Sequence, residues 1–124
     1  MTTARRGGVD PRATGPYGNA VSRLDMLKDF AAKNPQDPFP SYGLALEYKN
    51  AGRLEEAEVE FAHLLSAFPD YTPAYLHAGN LYRALGRRDR AVDVYRAGMD
   101  ACARKGDGHA LGELEAALAE LEGA

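Results

Sequence analysis

The amino-acid sequence predicts an all-α protein built on a repeated unit, and two observations carry that expectation. From Val21 onward, apolar residues recur at spacings of three and four, with no convincing alternating strand. A shift of 34 residues then brings seven positions into register. Pro35 falls on Pro69, Ala45 on Gly79, Tyr48 on Tyr82, Gly52 on Gly86, Arg53 on Arg87, Ala57 on Ala91 and Phe61 on Tyr95. One coincidence would carry nothing; seven in one register mark a duplication.

The elements follow in order. Leu24, Leu27, Phe30 and Ala31 draw the first amphipathic stripe. It stops at Asn34-Pro35, because a proline biases the residue before it away from helical geometry. Asp37, Pro38 and Pro40 punctuate the start of a second helix carrying Tyr42, Leu44, Ala45 and Tyr48, which ends near Gly52. Glu55 and Glu56 open a third helix, where acidic side chains suit the helix dipole. Its apolar face is Ala57, Phe61, Leu64, Leu65 and Phe68, and Pro69 ends it.

Thr72-Pro73 reads as an N-cap and a first-turn proline. The fourth helix they start carries Tyr75, Leu76, Ala78, Gly79 and Tyr82 and closes at Gly86. Ala91, Val94, Tyr95 and Met99 line a fifth helix, which breaks at Gly106 and Gly108. A sixth places Leu111, Leu114, Ala117, Leu118 and Leu121 on one side and Glu113, Glu115, Glu120 and Glu122 on the other.

The shared positions have physical meaning. Ala45 and Gly79 are small enough to let a paired helix approach, as are Ala57 and Ala91 at a second crossing. Tyr48 and Tyr82 fill the space between the two helices of a unit, with Phe61 and Tyr95 plugging the core beside them. Gly52 and Gly86 permit the left-handed conformation that ends a helix.

At these residues the chain resembles the tetratricopeptide repeat family, whose unit is a 34-residue helix–turn–helix, and in particular its small bacterial-type members. The resemblance implies antiparallel helix-pair repeats wound into a short right-handed α-α superhelix with a C-terminal capping helix. Residues 1–20, rich in Gly, Arg, Thr and Pro with almost nothing apolar to bury, are expected to form a flexible tail, and the resemblance makes 21–124 a helical-repeat domain. Within the domain lie a half-repeat helix at 21–34, repeats at about 38–71 and 72–105, and a cap at 108–122. The pattern departs from the family in three places: Arg23 stands where a small residue is expected, Ala103 replaces the closing proline of the second repeat, and the last helix puts Gly112, Glu113, Ala116 and Glu120 at signature positions.

The resemblance also implies where a ligand would lie, in the concave groove lined by the first helix of each repeat. By position, the peptide-binding residues would be Tyr42, Leu46, Lys49 and Asn50 from the first repeat and His77, Asn80 and Arg83 from the second. Phe39, Leu76 and Ala84 border them, and Leu111, Leu114 and Leu118 of the cap extend the surface. Family members that grip the carboxylate end of chaperone tails use a clamp of Lys, Asn and Arg. The matching positions here hold Tyr42, Leu46, His77, Asp107 and Leu111, so binding of such tails is not expected.

Composition excludes other classes. The chain has 124 residues, 45% hydrophobic and 27% charged, with seven Tyr, four Phe and no Trp, the profile of one ordinary domain. A net charge of -3 argues against nucleic acid. The one basic concentration, Arg83, Arg87, Arg88 and Arg90, reads as a solvated turn balanced by Asp89 and Asp93. Cys102 is the single cysteine and reads as a small buried hydrophobe, and no zinc spacing exists. Met1 to Gly18 holds no signal-peptide core and no segment is long and apolar enough to span a membrane, so the cytoplasm is expected.

No nucleophile with its base, carboxylate pair or phosphate-cradling loop is present, so neither catalysis nor a cofactor or metal is expected. The function these readings support is a protein-protein interaction module that takes a peptide or partner protein in the groove. The alternative is self-association, as a homodimer or part of a larger complex, through apolar ends at Leu24–Phe30 and Leu111–Leu121.

Overall fold

A computed structural model describes residues 22–123; the predicted tail and Val21 lie outside the described residues. Among the described residues six helices follow one another: α1 (Arg23–Lys33), α2 (Pro38–Asn50), α3 (Leu54–Ala67), α4 (Pro73–Ala84), α5 (Arg88–Lys105) and α6 (Gly108–Gly123). Among the described residues there is no strand. Each helix packs on the next in sequence, and α4 also touches both α2 and α6 across the repeat boundaries. Thus α2, α4 and α6 form an inner layer, with α3 and α5 behind it. No helix among the described residues is long and apolar enough to cross a membrane.

Local chemistry sets most of the boundaries. Ser22 and Asp25 form a reciprocal capping box at the start of α1, with Asp25 N–H donating to Ser22 Oγ at 3.1 Å. Asp37 accepts from Phe39 N–H at 3.0 Å, and Pro38 occupies the first position of α2. Gly52 and Gly86 take φ of +78° and +76° at equivalent places after α2 and α4. Beyond each, an arginine N–H reaches back to a tyrosine carbonyl, Arg53 to Tyr48 at 2.9 Å and Arg87 to Tyr82 at 2.8 Å. That is the Schellman ending, made once per repeat. Gly106, at φ +70°, ends α5, while Gly108 begins α6 and breaks nothing.

A Cβ at Gly86 would touch nothing within 4 Å, so Gly86→Ala isolates the backbone effect. We expect a loss of about 1–2 kcal/mol in urea unfolding, the strain of a left-handed alanine. Gly112, equally open but inside α6, is the control. There alanine should stabilise by up to about 1 kcal/mol through helix propensity.

The expected N-cap at Thr72 takes another form. Thr72 itself has helical angles, φ -59° and ψ -33°, and its side chain does not bond to the α4 backbone. Its hydroxyl instead donates to Asp107 Oδ2 at 2.7 Å, tying the start of α4 to the α5–α6 turn. A capping hydroxyl needs an extended residue to aim it at the next N–H groups. Here the proline-led turn winds one residue early.

The core divides between the repeats. Leu44, Ala45, Tyr48, Ala57, Phe61 and Leu64 are buried in the first, and Tyr75, Tyr82, Ala91, Tyr95, Cys102 and Leu114 in the second. Equivalent positions trade volume. The first repeat buries Ser41 and Leu64 where the second buries Tyr75 and Gly98. Gly98 sits against Tyr75 so closely that an added Cβ would lie 2.5 Å from the tyrosine Cβ. Cys102 is buried, and burial raises its thiol pKa, as expected of an inert core residue.

The two ends of the stack differ. At the C-terminal end Leu114 and Leu121 are buried and Leu111 and Leu118 half-buried, because α6 packs on both α5 and α4. The apolar edge expected there is therefore largely closed. At the N-terminal end α1 packs only on α2 among the described helices and buries no residue fully. Phe30, expected in its buried stripe, stays 42% exposed, and Phe39 on the first turn of α2 is 66% exposed.

Candidate binding groove

The side-by-side arrangement of α2, α4 and α6 leaves a cleft of about 270 Å³. Tyr42 enters it from α2, Leu76 and His77 from α4, and Glu113 and Leu114 from α6, with Thr72 and Pro73 at one margin. The Tyr42 ring meets Tyr71 edge to face, centroids 5.3 Å apart, and leans on His77 at 5.9 Å. Such edge-on contacts hold aromatic rings in place more firmly than area burial alone would. The groove floor is therefore a fixed aromatic cluster.

Electrostatics follow from partial burial. Burial chiefly, then the neighbouring Lys49, holds the His77 pKa below its ordinary 6.5, with Glu113 opposing. His77 is thus neutral at neutral pH. Burial also lowers the Lys49 pKa and raises that of Tyr42, the latter aided by Tyr71 and Glu113. Below about pH 6.5 the unfolded chain takes up a proton that folded His77 refuses. The stability held by neutral His77 is complete above its unfolded pKa and declines as pH falls toward its folded one. His77→Gln should therefore flatten the acid side of the stability profile, measured as the difference between wild-type and variant urea midpoints across that window.

The structure distributes the remaining groove residues unevenly. Leu46 is half-buried against the first core cluster, Lys49 is half-buried and Asn50 is exposed at the end of α2. Asn80 is already engaged: its Oδ1 accepts from the hydroxyl of fully buried Tyr95. Arg83 donates to Glu120 of α6 at 2.6 Å. The pairing of Asn80 with Tyr95 has a counterpart in the duplication, since Leu46 and Phe61 occupy the same two positions one repeat earlier. Where the ring gained a hydroxyl, the facing leucine position became an asparagine. Asn80→Leu alone should cost about 1 kcal/mol, the low end of a stranded buried hydroxyl, because Arg83 also reaches Tyr95. Asn80→Leu with Tyr95→Phe should return close to wild-type stability, as unfolding of the double variant would show.

Two arginines of the basic turn pair with carboxylates other than those expected, and a third packs on an aromatic ring. Arg87 pairs with Glu58 at 2.7 Å, Arg83 with Glu120, and Arg90 lies over the Tyr82 ring at 4.9 Å. Among the described residues neither Asp89 nor Asp93 takes part. Glu113 and Glu120 in turn do not belong to a purely outward face of α6. The signal was present in the sequence. At about 100° per residue, Glu113 beside Leu114 and Glu120 beside Leu121 flank the buried stripe rather than oppose it. Asp107, at a position matching the carboxylate clamp, is held low by its bonds to Thr72 and to Ala110 N–H.

The model of the tetratricopeptide repeat matches residues 72–104. A crystal structure of the tetratricopeptide repeat domain protein from Salinibacter ruber is 36% identical, covering 71% of this chain and 98% of that one, with a TM-score of 0.67. The chain belongs to the tetratricopeptide repeat family. A solution structure of the Salinibacter ruber domain gives 37% identity over 72% of this chain and 90% of that one, with a TM-score of 0.68. A Bordetella parapertussis protein shares the fold at 20% identity and a TM-score of 0.70, covering 82% of this chain and 89% of its own. No curated protein matches this member of the family. As a tetratricopeptide repeat protein it has the architecture of a protein-interaction module.

Proposed function

We propose that this tetratricopeptide repeat protein is a non-catalytic adaptor, working in the cytoplasm, that holds a peptide or a segment of a partner protein along its concave face. The observation that carries this reading is the cleft between α2, α4 and α6, where Tyr42 and His77 present a fixed aromatic floor. Lys49 and Asn50 extend the surface along α2 toward the turn. Asn80 retains its amide N–H donors for a peptide carbonyl while its oxygen serves Tyr95. Arg83, held by Glu120, borders the far side.

The test uses variants that spare the fold's own polar contacts. Asn80 and Arg83 are left intact because each has a structural partner. Lys49→Glu, Asn50→Ala and His77→Ser are combined, and unchanged helicity and unfolding are verified. Wild-type and variant proteins are then used to capture partners from the native cell extract. A protein held by the wild type and lost by the variant supports the groove. Equal capture by both contradicts it.

Self-association is the second reading, favoured by exposed Phe30 and Phe39 at the N-terminal end of the described helices. Concentration-dependent light scattering tests it: a homodimer whose dissociation constant rises on Phe30→Asp supports pairing at that end. A strict monomer removes it.

A further inference from the structure

We propose that the cleft between α2, α4 and α6 receives a positively charged side chain, arginine or lysine, from the bound segment. This rests on the concave-face reading and adds the chemistry of the partner to it. Of the side chains lining the cleft, Glu113 is the one that carries a formal charge at neutral pH, since neighbouring His77 is kept neutral by burial. Its carboxylate is half exposed and weakly committed: its described ion-pair partner is His109, 3.8 Å away and itself 88% exposed. A contact that long to a side chain that exposed engages the carboxylate weakly, so Glu113 keeps its acceptor capacity for an incoming cation.

The other walls fit the rest of such a side chain. Leu76, Leu114 and Pro73 offer apolar surface to the methylene stem of a lysine or arginine, which packs its stem while its head stays polar. The Tyr42 ring, fixed by Tyr71 and His77, supplies a π system beside the carboxylate. An acidic side chain would instead meet like charge at Glu113, and a purely apolar one would leave that carboxylate desolvated without a partner. Lys49 stands two turns along α2 from Tyr42 and does not line the cleft. It repels a second cation there and so fixes which end of the groove the basic residue occupies.

The test titrates the isotope-labelled full chain with capped alanine-based pentapeptides whose central residue is arginine, lysine, citrulline, leucine or glutamate. We expect the arginine and lysine peptides to shift the amides of Tyr42, His77 and Glu113, binding at least about tenfold more tightly than the citrulline peptide. Glu113→Gln should bring the arginine peptide to the citrulline level. Glu115→Gln, exposed on α6 outside the cleft, should leave it unchanged. Leucine or glutamate peptides that bind the same residues as tightly as arginine overturn the charge assignment while leaving the concave face as a binding surface. Absence of any shift at these residues also overturns it; loss of a native partner by the Lys49, Asn50 and His77 variant would then still uphold the groove, and retention of that partner would remove both.

Discussion

Tyr95→Ala is expected to destabilise the domain by about 3–5 kcal/mol, the cost of removing a fully buried aromatic side chain and leaving a cavity. Among the described residues Tyr95 is the largest fully buried side chain, and it sits at the crossing of α5 with α4, against the bare backbone of Gly79. Truncation removes the ring that fills this crossing and the hydroxyl that binds Asn80. For a domain of this size the melting temperature should fall by more than about 12 °C. Tyr95→Phe keeps the ring and should cost about 1 kcal/mol or less, since Asn80 is half exposed and water can replace the hydroxyl. Chemical unfolding of the two variants separates ring from hydroxyl. A loss under about 1 kcal/mol for alanine would mean that the second repeat is not organised around this side chain.

Gly98→Leu is expected to be nearly as damaging, at about 3 kcal/mol, by the opposite mechanism of overpacking. A Cβ at this position would lie 2.5 Å from Tyr75 Cβ and 2.9 Å from a Leu114 methyl. The first of these belongs to the root of a side chain, so no rotamer change relieves it and the helices must separate. Because α4 and α6 meet α5 here, the displacement should also widen the cleft lined by Leu76 and Leu114. The same substitution restores the leucine that the first repeat carries at Leu64. It fails in the second repeat because Tyr75 has taken the space that Ser41 leaves in the first. Circular dichroism and urea unfolding measure the loss; a variant as stable as wild type would contradict the packing.

These two cases show where the sequence was readable and where it was not. The helices, the left-handed glycines at 52 and 86 and the buried Ala–Tyr–Phe positions were legible, because each depends on local geometry repeated at a fixed interval. The role of Gly98 was not, since it has meaning only beside Tyr75, and the register aligns it with a leucine. Asn80 looked like a ligand contact, as a polar residue among apolar neighbours. Its nearer explanation lay in the exchange of Phe61 for Tyr95, which introduced a hydroxyl that the fold had to satisfy. Glu113 was grouped with Glu115, Glu120 and Glu122 on the side of α6 away from its leucines. Its place beside the buried Leu114 puts it at the flank of the apolar stripe, a phase the helical period already carries.

Thr72 was misread for a different reason. Its hydroxyl follows a partner from a distant turn, Asp107, and sequence adjacency to Pro73 says nothing of that bond. Groove residues were identified as positions on the first helices. Which of them meet in one cleft, Tyr42 with His77 and Leu76, followed from the lateral packing of α2, α4 and α6.

The central claim, that the concave face is where a partner docks, is tested most directly by site-specific photo-crosslinking in the cells that make the protein. A photoreactive phenylalanine analogue is placed at His77 in the groove, at exposed Val59 on α3 and at exposed Phe30 on α1, one position at a time. A crosslink from position 77 to a different protein is expected, with little or none from 59. Crosslinks from 59 or 30 alone, or crosslinks only to a second copy of the chain, would contradict it.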